Sequence, residues 1–301
     1  METMKAADET TRIRMAADPY LPPEAQQALL LVSFKRPSAR LATLKRLAAN
    51  PGVDPQILRA LARVDNYDIE MALASHPNTP DDVLLGLIRK DEQLLLGRIS
   101  RREVPLSWIL WRQLLRHDSL LPDLMRRQEA PTQALDYVLD RHTIVLGDVM
   151  SLVAAHPNLA RPQLERLISS PLEGVRGNIA QRSDLTPKDV QQLSRDEKAA
   201  VRAALAANPL CTPDVLHRLA DDPTFIVQER VAANKHTEPA VLRRLAETAT
   251  PIVLSGLASN PSTPPDVVDK LALMGDERTI RILRNRTDLS DMAKTLVTLK
   301  I

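Results

Sequence analysis

The stretch AANPLCTPDVLHRLADD at residues 206–222 has a near-copy, AANPGVDPQILRALARVD, at residues 48–65. In both copies an Asn-Pro pair precedes a segment whose apolar residues are three and four positions apart, which is the spacing of one face of an α-helix. The same phrase written twice in one chain indicates an internal repeat. An internal repeat of this kind determines the architecture of the chain that contains it.

The repeat extends through the sequence with a period near 26 residues. With the Asn of the Asn-Pro pair taken as an anchor, successive anchors are 26, 26, 26, 28, 26, 26, 26, 26 and 25 residues apart. Columns seven and three residues before each anchor and eleven after it are apolar in the first nine units, except at Thr43 and Gln113. The predicted anchors are Asn50, His76, Arg102, Gln128, His156, Arg182, Asn208, Asn234, Asn260 and Asn285.

Each unit carries start and stop signals for two short helices. Thr212 is a predicted N-cap with Pro213 at the first helical position, where a missing N–H costs nothing, and Thr186 and Thr263 are predicted to act in the same way. The anchor Asn is predicted to take the left-handed conformation that ends a helix, and the proline after it prevents continuation. The two histidines that replace Asn at anchors are predicted helix caps.

Helices of about ten residues are marginal alone in water, so one pair cannot bury its apolar face without neighbours. Stacked pairs share a surface of Leu, Val and Ala. The predicted fold is therefore all-α: an α-solenoid of about ten stacked two-helix repeats of about 26 residues.

The unit ANPxTPxxVLxxLAxDxxxxVRxAVA resembles the leucine-rich repeat variant family and is similar to HEAT-like repeats. Its clearest copies lie in residues 175–272, and degenerate copies extend the resemblance to about residues 19–290. The resemblance implies a right-handed stack of short α- and 3₁₀-like helices. The founding member of the family also carries a cysteine-rich iron–sulfur segment. This chain has a single cysteine, Cys211, inside a repeat, so no cofactor is expected.

The predicted domain organisation follows from the repeat. A repeat domain over 18–290 is expected between a mobile N-terminal segment, 1–17, and a C-terminal capping helix, 288–301. Its parts are a divergent N-terminal cap at 18–50, degenerate central repeats at 51–128 and 129–156, and regular repeats at 157–287.

Composition excludes several classes of protein. Aromatic residues are 2% of the 301 residues, and 23 prolines against 8 glycines indicate many short elements stopped at regular points. The net charge of +2 is too small to imply a polyanionic partner by itself. One cysteine excludes an internal disulfide. No secretory signal or membrane span is apparent, so no membrane partner and a cytoplasmic location are expected.

The consensus is lost between residues 98 and 127, where both tryptophans and seven arginines gather. Trp and Arg dominate binding hot spots, because they offer a large rigid area and a planar five-donor group. Arg182 replaces an anchor Asn and is predicted to extend this basic surface. The predicted partner-binding residues are Arg98, Arg101, Arg102, Trp108, Trp111, Arg112, Arg116, Arg126, Arg127 and Arg182.

The same tryptophans and arginines can also be interpreted as residues that stabilise the fold. One tryptophan is expected to fill the core, and the arginines could form a solvated face paired with Glu103, Asp118 and Asp123. Arg176 and Arg202 hold a consensus position and are expected to serve the fold.

No metal site and no catalytic residue are predicted. His142 with Asp136, Asp140 and Asp148 matches no recognised metal-ligand spacing. No phosphate loop, nucleophile elbow or metalloprotease motif is present. Cys211 is expected to be an inert residue in a turn between helices.

The function expected from these features is a non-enzymatic scaffold that binds a partner protein. Two alternatives stay open: a nucleic-acid-binding solenoid similar to the alkylpurine DNA glycosylases, and an assembly or lyase-type factor. A continuous positive stripe would favour nucleic acid, whereas a mixed patch around an exposed indole would favour a protein partner. The oligomeric state is left open.

Overall fold

The computed structural model describes residues 7–35, 40–141 and 147–300. Within these ranges there are 22 α-helices, one 3₁₀ segment and no strand. The all-α class predicted from the sequence is therefore confirmed. The chain divides into two compact units, residues 1–141 and residues 142–301.

The N-terminal unit alternates between two sets of helices. Its helices are α1 Glu9–Ala16, α2 Pro23–Lys35, α3 Arg40–Ala49, α4 Pro55–Leu61, α5 Tyr67–Ser75, α6 Asp81–Ile88, α7 Gln93–Ser100, α8 Trp108–Leu114, the 3₁₀ segment Asp118–Leu120, α9 Leu121–Met125 and α10 Thr132–Arg141. Odd-numbered helices contact each other in succession from α1 to α7, and α7 contacts the 3₁₀ segment. On the even side, α2 contacts α4 and α6 contacts α8.

The C-terminal unit follows the same rule. Its helices are α11 Gly147–Ala155, α12 Arg161–Leu167, α13 Glu173–Ala180, α14 Pro187–Leu193, α15 Ala199–Ala206, α16 Pro213–Leu219, α17 Phe225–Ala233, α18 Pro239–Glu247, α19 Pro251–Ser259, α20 Pro265–Met274, α21 Glu277–Leu283 and α22 Asp291–Leu299. The odd-numbered helices pack in succession from α11 to α21, and α18, α20 and α22 do so on the even side. The odd-numbered helices from α1 to α7 and from α11 to α21 therefore find most of their packing two elements away, whereas α12, α14 and α16 contact mainly their neighbours in sequence.

The apolar columns of the sequence form the core. Every residue seven or three positions before the first nine predicted anchors is buried, including Thr43, the polar exception in the first column. Eleven positions after the anchors, all residues are buried except Gln113, which is half-buried. The columns of Leu, Val and Ala thus give each short helix the tertiary contacts that its length cannot supply.

Helix starts agree with the sequence prediction only in part. Thr186 caps α14, accepting from the Asp189 N–H at 3.3 Å, while Asp189 accepts from the Thr186 N–H at 2.8 Å. Thr212 holds the N-cap position of α16, but its side chain makes no capping hydrogen bond. The prediction for Thr263 is wrong, because its hydroxyl donates to the Leu257 carbonyl at 2.7 Å and thereby satisfies the end of the preceding helix.

The anchors do not take the left-handed conformation predicted for them. Asn234 and Asn260 have φ values of −73° and −83°, and among the described non-glycine residues only Asp91 has a positive φ. Instead, the anchor side chain reaches the equivalent turn one period earlier in the chain. Asn260 Nδ2 donates to the main-chain oxygens of Ala232 at 2.7 Å and of Asn234 at 2.8 Å. We call this pair of hydrogen bonds the carbonyl clamp.

The carbonyl clamp recurs in both units. Asn50, Asn208 and Asn234 each donate Nδ2 to two earlier main-chain oxygens, and each accepts the N–H two residues later through Oδ1. His76 keeps one half of the arrangement, with Nε2 2.7 Å from the Asn50 oxygen. A helix cannot satisfy its last carbonyls internally, so the clamp supplies the missing donors.

Arginine forms the carbonyl clamp at four places, and two of them correct the predicted register. Arg127, not Gln128, holds the clamp position after Arg102, because its guanidinium reaches the Ser100 oxygen at 2.9 Å. In the C-terminal unit Arg286, not Asn285, donates Nη1 to the main-chain oxygens of Ala258 and Asn260 at 3.1 and 2.6 Å. Arg182 makes the equivalent pair of hydrogen bonds with Ala154 and His156.

Ion pairs recur between side chains that are 20 residues apart in the sequence. Arg176 donates Nε to Asp196 Oδ2 at 2.6 Å and Nη2 to Oδ1 at 2.9 Å. Arg202 makes the same bidentate pair with Asp222. The predicted structural role of Arg176 and Arg202 is confirmed. In the N-terminal unit the corresponding pair has opposite polarity, with Lys90 Nζ 2.6 Å from the carboxylate of Glu70.

The segment 1–17, predicted to be mobile, contains a helix in the structure. Residues 9–16 form α1, which is capped by the Asp8 side chain at 2.7 Å from the Thr11 nitrogen. Helix α1 contacts α3 and buries Ala16. Residues 1–6 lie outside the described part of the chain. At the other end, α22 falls within the predicted capping segment.

Candidate functional site

The predicted partner-binding residues do not form one surface. Arg98 and Arg101 line a groove on the odd-numbered helices, which we call the arginine groove. Trp108, Arg112 and Arg116 line a second groove on the even-numbered helices, which we call the tryptophan groove. The other predicted residues are Arg126, which is exposed, Trp111, which lies in the core, and the clamp residues Arg102, Arg127 and Arg182.

Arg127 and Arg182 are fold-stabilising residues. Arg127 Nη2 donates to the Val104 oxygen at 2.7 Å, and Arg182 Nη1 donates to Ala154 and His156 at 3.0 and 2.8 Å. Their side chains are only 9% and 10% exposed. Their prediction as partner-contacting residues is therefore corrected: the donors that a partner would need already bind main-chain oxygens of the protein.

Arg102 also stabilises the fold through a carbonyl clamp, but one of its donors, Nε, remains unused. Its Nη1 and Nη2 donate to the Ala74 and Pro77 oxygens at 3.1 and 3.0 Å, and the residue is 6% exposed. Its Nε is buried and has no hydrogen-bond partner. Burial, and after it the neighbouring charge of Arg127, lower the pKa of Arg102 from its ordinary value. Arg102 also lines the arginine groove.

The arginine groove has a volume of about 960 Å³ and lies between α5, α7 and residues 118–123. Arg98 is exposed and makes no hydrogen bond or ion pair with the described residues. Arg101 Nε binds Asp123 Oδ2 at 2.7 Å, and Arg126 approaches the other oxygen of Asp123 at 3.4 Å. The solvated ion pairing considered for the arginines is thus confirmed for Arg101 and Arg126, whereas Arg98 keeps all its donors available.

The two tryptophans have different environments. Trp111 is 1% exposed and is the largest fully buried side chain in the described residues, so the expectation that one tryptophan fills the core is confirmed. Trp108 is 42% exposed at the first turn of α8, and its neighbour Ile109 is 49% exposed. Trp108 and Arg112 in α8 and Arg116 in the turn after it follow each other at intervals of four, and all three line one groove.

The tryptophan groove is a mixed aromatic and charged depression of about 420 Å³ between α8 and α10. Arg112 and Arg116 form no hydrogen bond or ion pair within the described parts of the chain. Opposite them on α10 stands Tyr137, whose ring centroid is 5.9 Å from the guanidinium carbon of Arg141. Ile109 and Tyr137 were not among the residues predicted from the sequence. The spacing of Tyr137 from the acidic residues of α10 was visible, but its proximity to α8 depends on packing.

The described residues contain no group of three or more His, Cys, Asp or Glu side chains arranged for a metal ion. His142, the centre of the metal site that was considered, lies outside them. Cys211 is buried at 2% exposure, and this burial raises the pKa of its thiol to about 12. A thiol with such a pKa is a poor nucleophile at neutral pH.

Comparisons with known proteins add no relative. A scan against protein-family models finds no match, and a search of curated proteins finds none either. Across the part of the chain that the structure describes, no helix is both long enough and apolar enough to cross a membrane.

Proposed function

We propose that this protein is a non-enzymatic scaffold that binds a partner protein through the tryptophan groove. The observation that carries the proposal is the exposed indole of Trp108 beside two arginines that have no partner among the described residues. Trp, Tyr and Arg are the residue types on which protein binding energy concentrates, and this groove combines an exposed Trp108 with the half-buried Tyr137 and two exposed arginines.

The proposed architecture is an α-solenoid of about ten two-helix repeats, related to the leucine-rich repeat variant and HEAT-like families. Support comes from packing between helices two elements apart and from hydrogen bonds that recur at separations of 26 and 28 residues. In such a protein each layer offers a few variable side chains to a partner. We place it in the cytoplasm, a reducing compartment compatible with one unpaired thiol.

Charge distribution favours a protein partner over nucleic acid. Arg102, Arg127 and Arg182 are occupied in carbonyl clamps, so they contribute no donors to a basic stripe. The tryptophan groove also contains the carboxylates of Asp136 and Asp140, which would repel a phosphate backbone. A surface that mixes both charges with aromatic rings is suited to a protein surface of the same kind.

The test is to capture a partner with the wild-type protein, purify it and measure its affinity for variants by calorimetry. Trp108→Ala is expected to weaken binding by about thirtyfold, the effect of removing a hot-spot residue worth about 2 kcal/mol. Arg112→Ala with Arg116→Ala is expected to weaken it further. Tyr20→Ala and Phe225→Ala are the matched controls, because both aromatic rings are exposed elsewhere.

Unchanged affinity in the Trp108→Ala variant, with the fold intact, would remove the tryptophan groove from the proposal. An equal loss in the two control variants would show that the effect is not specific to this groove.

A further inference from the structure

The four arginines that form carbonyl clamps differ in one respect. In three of them Nε donates to an acidic side chain two residues later, and in the fourth, Arg102, the residue at that position is Val104. The three complete pairs are Arg127 with Glu129 at 2.5 Å, Arg182 with Asp184 at 2.8 Å and Arg286 with Asp288 at 2.9 Å.

The missing carboxylate leaves a buried charge without compensation. The guanidinium of Arg102 makes no ion pair with the described residues, and Asp81 acts on it only over a longer distance. Its two hydrogen bonds are to neutral carbonyl oxygens, and its Nε has no acceptor. A buried charge is unfavourable unless a counter-charge accompanies it, so this position favours the approach of an anion.

The position next to Arg102 is open. The arginine groove is lined by Arg102 and Val104 together with Arg98 and Arg101, whose guanidinium groups are exposed. Arg98 has five unused donors in the planar arrangement that binds a carboxylate in bidentate fashion. The groove is not uniformly polar, because Leu94, which is 66% exposed, lies on the same wall.

We propose that the arginine groove binds an acidic peptide segment of a partner protein, whose carboxylates pair with Arg98 and Arg101 and compensate the charge of Arg102. An acidic peptide fits better than nucleic acid for two reasons. Leu94 offers an apolar contact that a peptide side chain can fill, and Glu103 and Asp123 on the groove wall oppose a dense row of phosphates. The proposal does not depend on the tryptophan groove, which lies on other helices.

The experiment measures fluorescence anisotropy of a fluorescein-labelled peptide built from Glu-Glu-Leu triplets, using the full-length protein. The ionic strength is about 0.15 M, where charges more than ~8 Å apart are largely screened. A second peptide has Gln in place of every Glu. A single-stranded oligonucleotide of similar length is the third probe. Three variants are compared with wild type: Arg98→Gln, Val104→Asp and, as a control in the tryptophan groove, Arg112→Gln.

The Glu peptide is expected to bind, and the Gln peptide to bind at least tenfold more weakly. Arg98→Gln is expected to reduce affinity by about tenfold, because it removes one charge-assisted pair. Val104→Asp gives Arg102 the internal carboxylate that the other three clamp arginines have. This substitution is expected to weaken binding of the Glu peptide by a similar factor. The thermal midpoint of unfolding is expected to stay unchanged or to rise. Arg112→Gln is expected to bind as wild type does.

Several results would overturn the proposal: no binding of the Glu peptide, equal binding of both peptides, or unchanged affinity in Arg98→Gln. Stronger binding of the oligonucleotide than of the Glu peptide, with the same dependence on Arg98, would replace it with a nucleic-acid site. If Val104→Asp lowers the thermal midpoint, Arg98→Gln decides the outcome alone. Loss of peptide binding in Arg112→Gln would assign the effect to the tryptophan groove instead.

Discussion

The side-chain Nδ2 of Asn260 donates a 2.8 Å hydrogen bond to the main-chain oxygen of Asn234, the residue that holds the same position 26 residues earlier. Asn234 in turn donates to the oxygen of Asn208 at 3.1 Å. The anchors therefore bind one another through a ladder of side-chain to main-chain hydrogen bonds. Each rung joins two turns that are 26 residues apart, so the period of the sequence equals the separation of the hydrogen-bonded turns.

Asn234→Ala is expected to lower the free energy of unfolding by about 2–3 kcal/mol, measured by urea denaturation. The change removes two hydrogen bonds donated by Nδ2 and one accepted by Oδ1 from His236, at about 1 kcal/mol each. Asn285→Ala is the matched control, because Asn285 is exposed and Arg286 holds the clamp beside it. The control is expected to change stability by less than about 0.5 kcal/mol. Equal effects of the two substitutions would contradict the corrected register.

Asp189 is expected to make stability depend on pH at the acidic end. Hydrogen bonds from Arg161 above all hold the pKa of Asp189 at about 2, below its ordinary value. A depressed folded-state pKa means that the unfolded chain binds more protons between about pH 4 and pH 2. The stabilisation is therefore present above about pH 4 and lost as the pH falls through 2.

The measurement compares the unfolding free energies of wild type and Asp189→Asn as a function of pH. We expect a difference of about 1–2 kcal/mol above pH 4, reduced from the full linkage value because the Arg161 side chain is 37% exposed. The difference should shrink as the pH approaches 2. A difference that stays constant over this range would show that the ion pair does not cause it.

Two helical glycines are expected to respond to alanine in opposite directions. A Cβ at Gly177 in α13 would meet nothing within 4 Å, so Gly177→Ala should raise stability by about 0.5–1 kcal/mol. A Cβ at Gly256 in α19 would lie 2.5 Å from the main-chain oxygen of Glu229 in α17. Gly256→Ala should therefore lower stability by about 1–3 kcal/mol. Thermal denaturation of both variants checks the predicted change of sign.

The tryptophans can be distinguished spectroscopically, since the chain has only two. The Trp111→Phe variant, which retains Trp108, should emit at longer wavelength and be quenched by acrylamide. The Trp108→Phe variant should emit at shorter wavelength and be protected. Trp111→Ala should cost about 3–5 kcal/mol, and Trp108→Ala no more than about 0.5–1 kcal/mol. Similar quenching of both single-tryptophan variants would contradict the assigned environments.

Cys211 is expected to resist thiol reagents in the folded protein at pH 7. Its burial raises the pKa of the thiol to about 12, so both access and the thiolate fraction are low. Reaction with a disulfide reagent should become rapid only after unfolding in urea. Stoichiometric labelling of the native protein within minutes would contradict the buried environment.

The helices and their buried columns could be predicted because they depend on apolar residues at helical spacing, which a sequence displays directly. The carbonyl clamp could not be predicted in this way. The sequence favoured Gln128 and Asn285 as anchors, one because of the spacing and the other because it is an asparagine. Which donor reaches the earlier carbonyls depends on side-chain length, and the arginines at 127 and 286 reach them from the adjacent position.

The candidate site shows the same limit of sequence reasoning. Arg98 and Trp108 are ten positions apart and were assigned to one surface, but a turn separates α7 from α8 and moves the chain to the other set of helices. Trp108, Arg112 and Arg116, which are four positions apart, do share one groove in the structure. Arg102 differs from the other clamp arginines only in its contacts, and a valine at position 104 does not indicate this difference in the sequence.

The reversed polarity of the Glu70–Lys90 pair bears on how a chain of similar segments avoids mismatched assembly. If α5 packed against the turn that carries Asp196, the carboxylate of Glu70 would meet a second carboxylate. If α13 packed against the turn that carries Lys90, Arg176 would meet a second cation. Like charges at this separation repel, so both exchanges are penalised while the native partners attract. The opposite charge signs at equivalent positions thus favour the native pairing of similar segments during folding. They also disfavour exchange of segments between two copies of the chain.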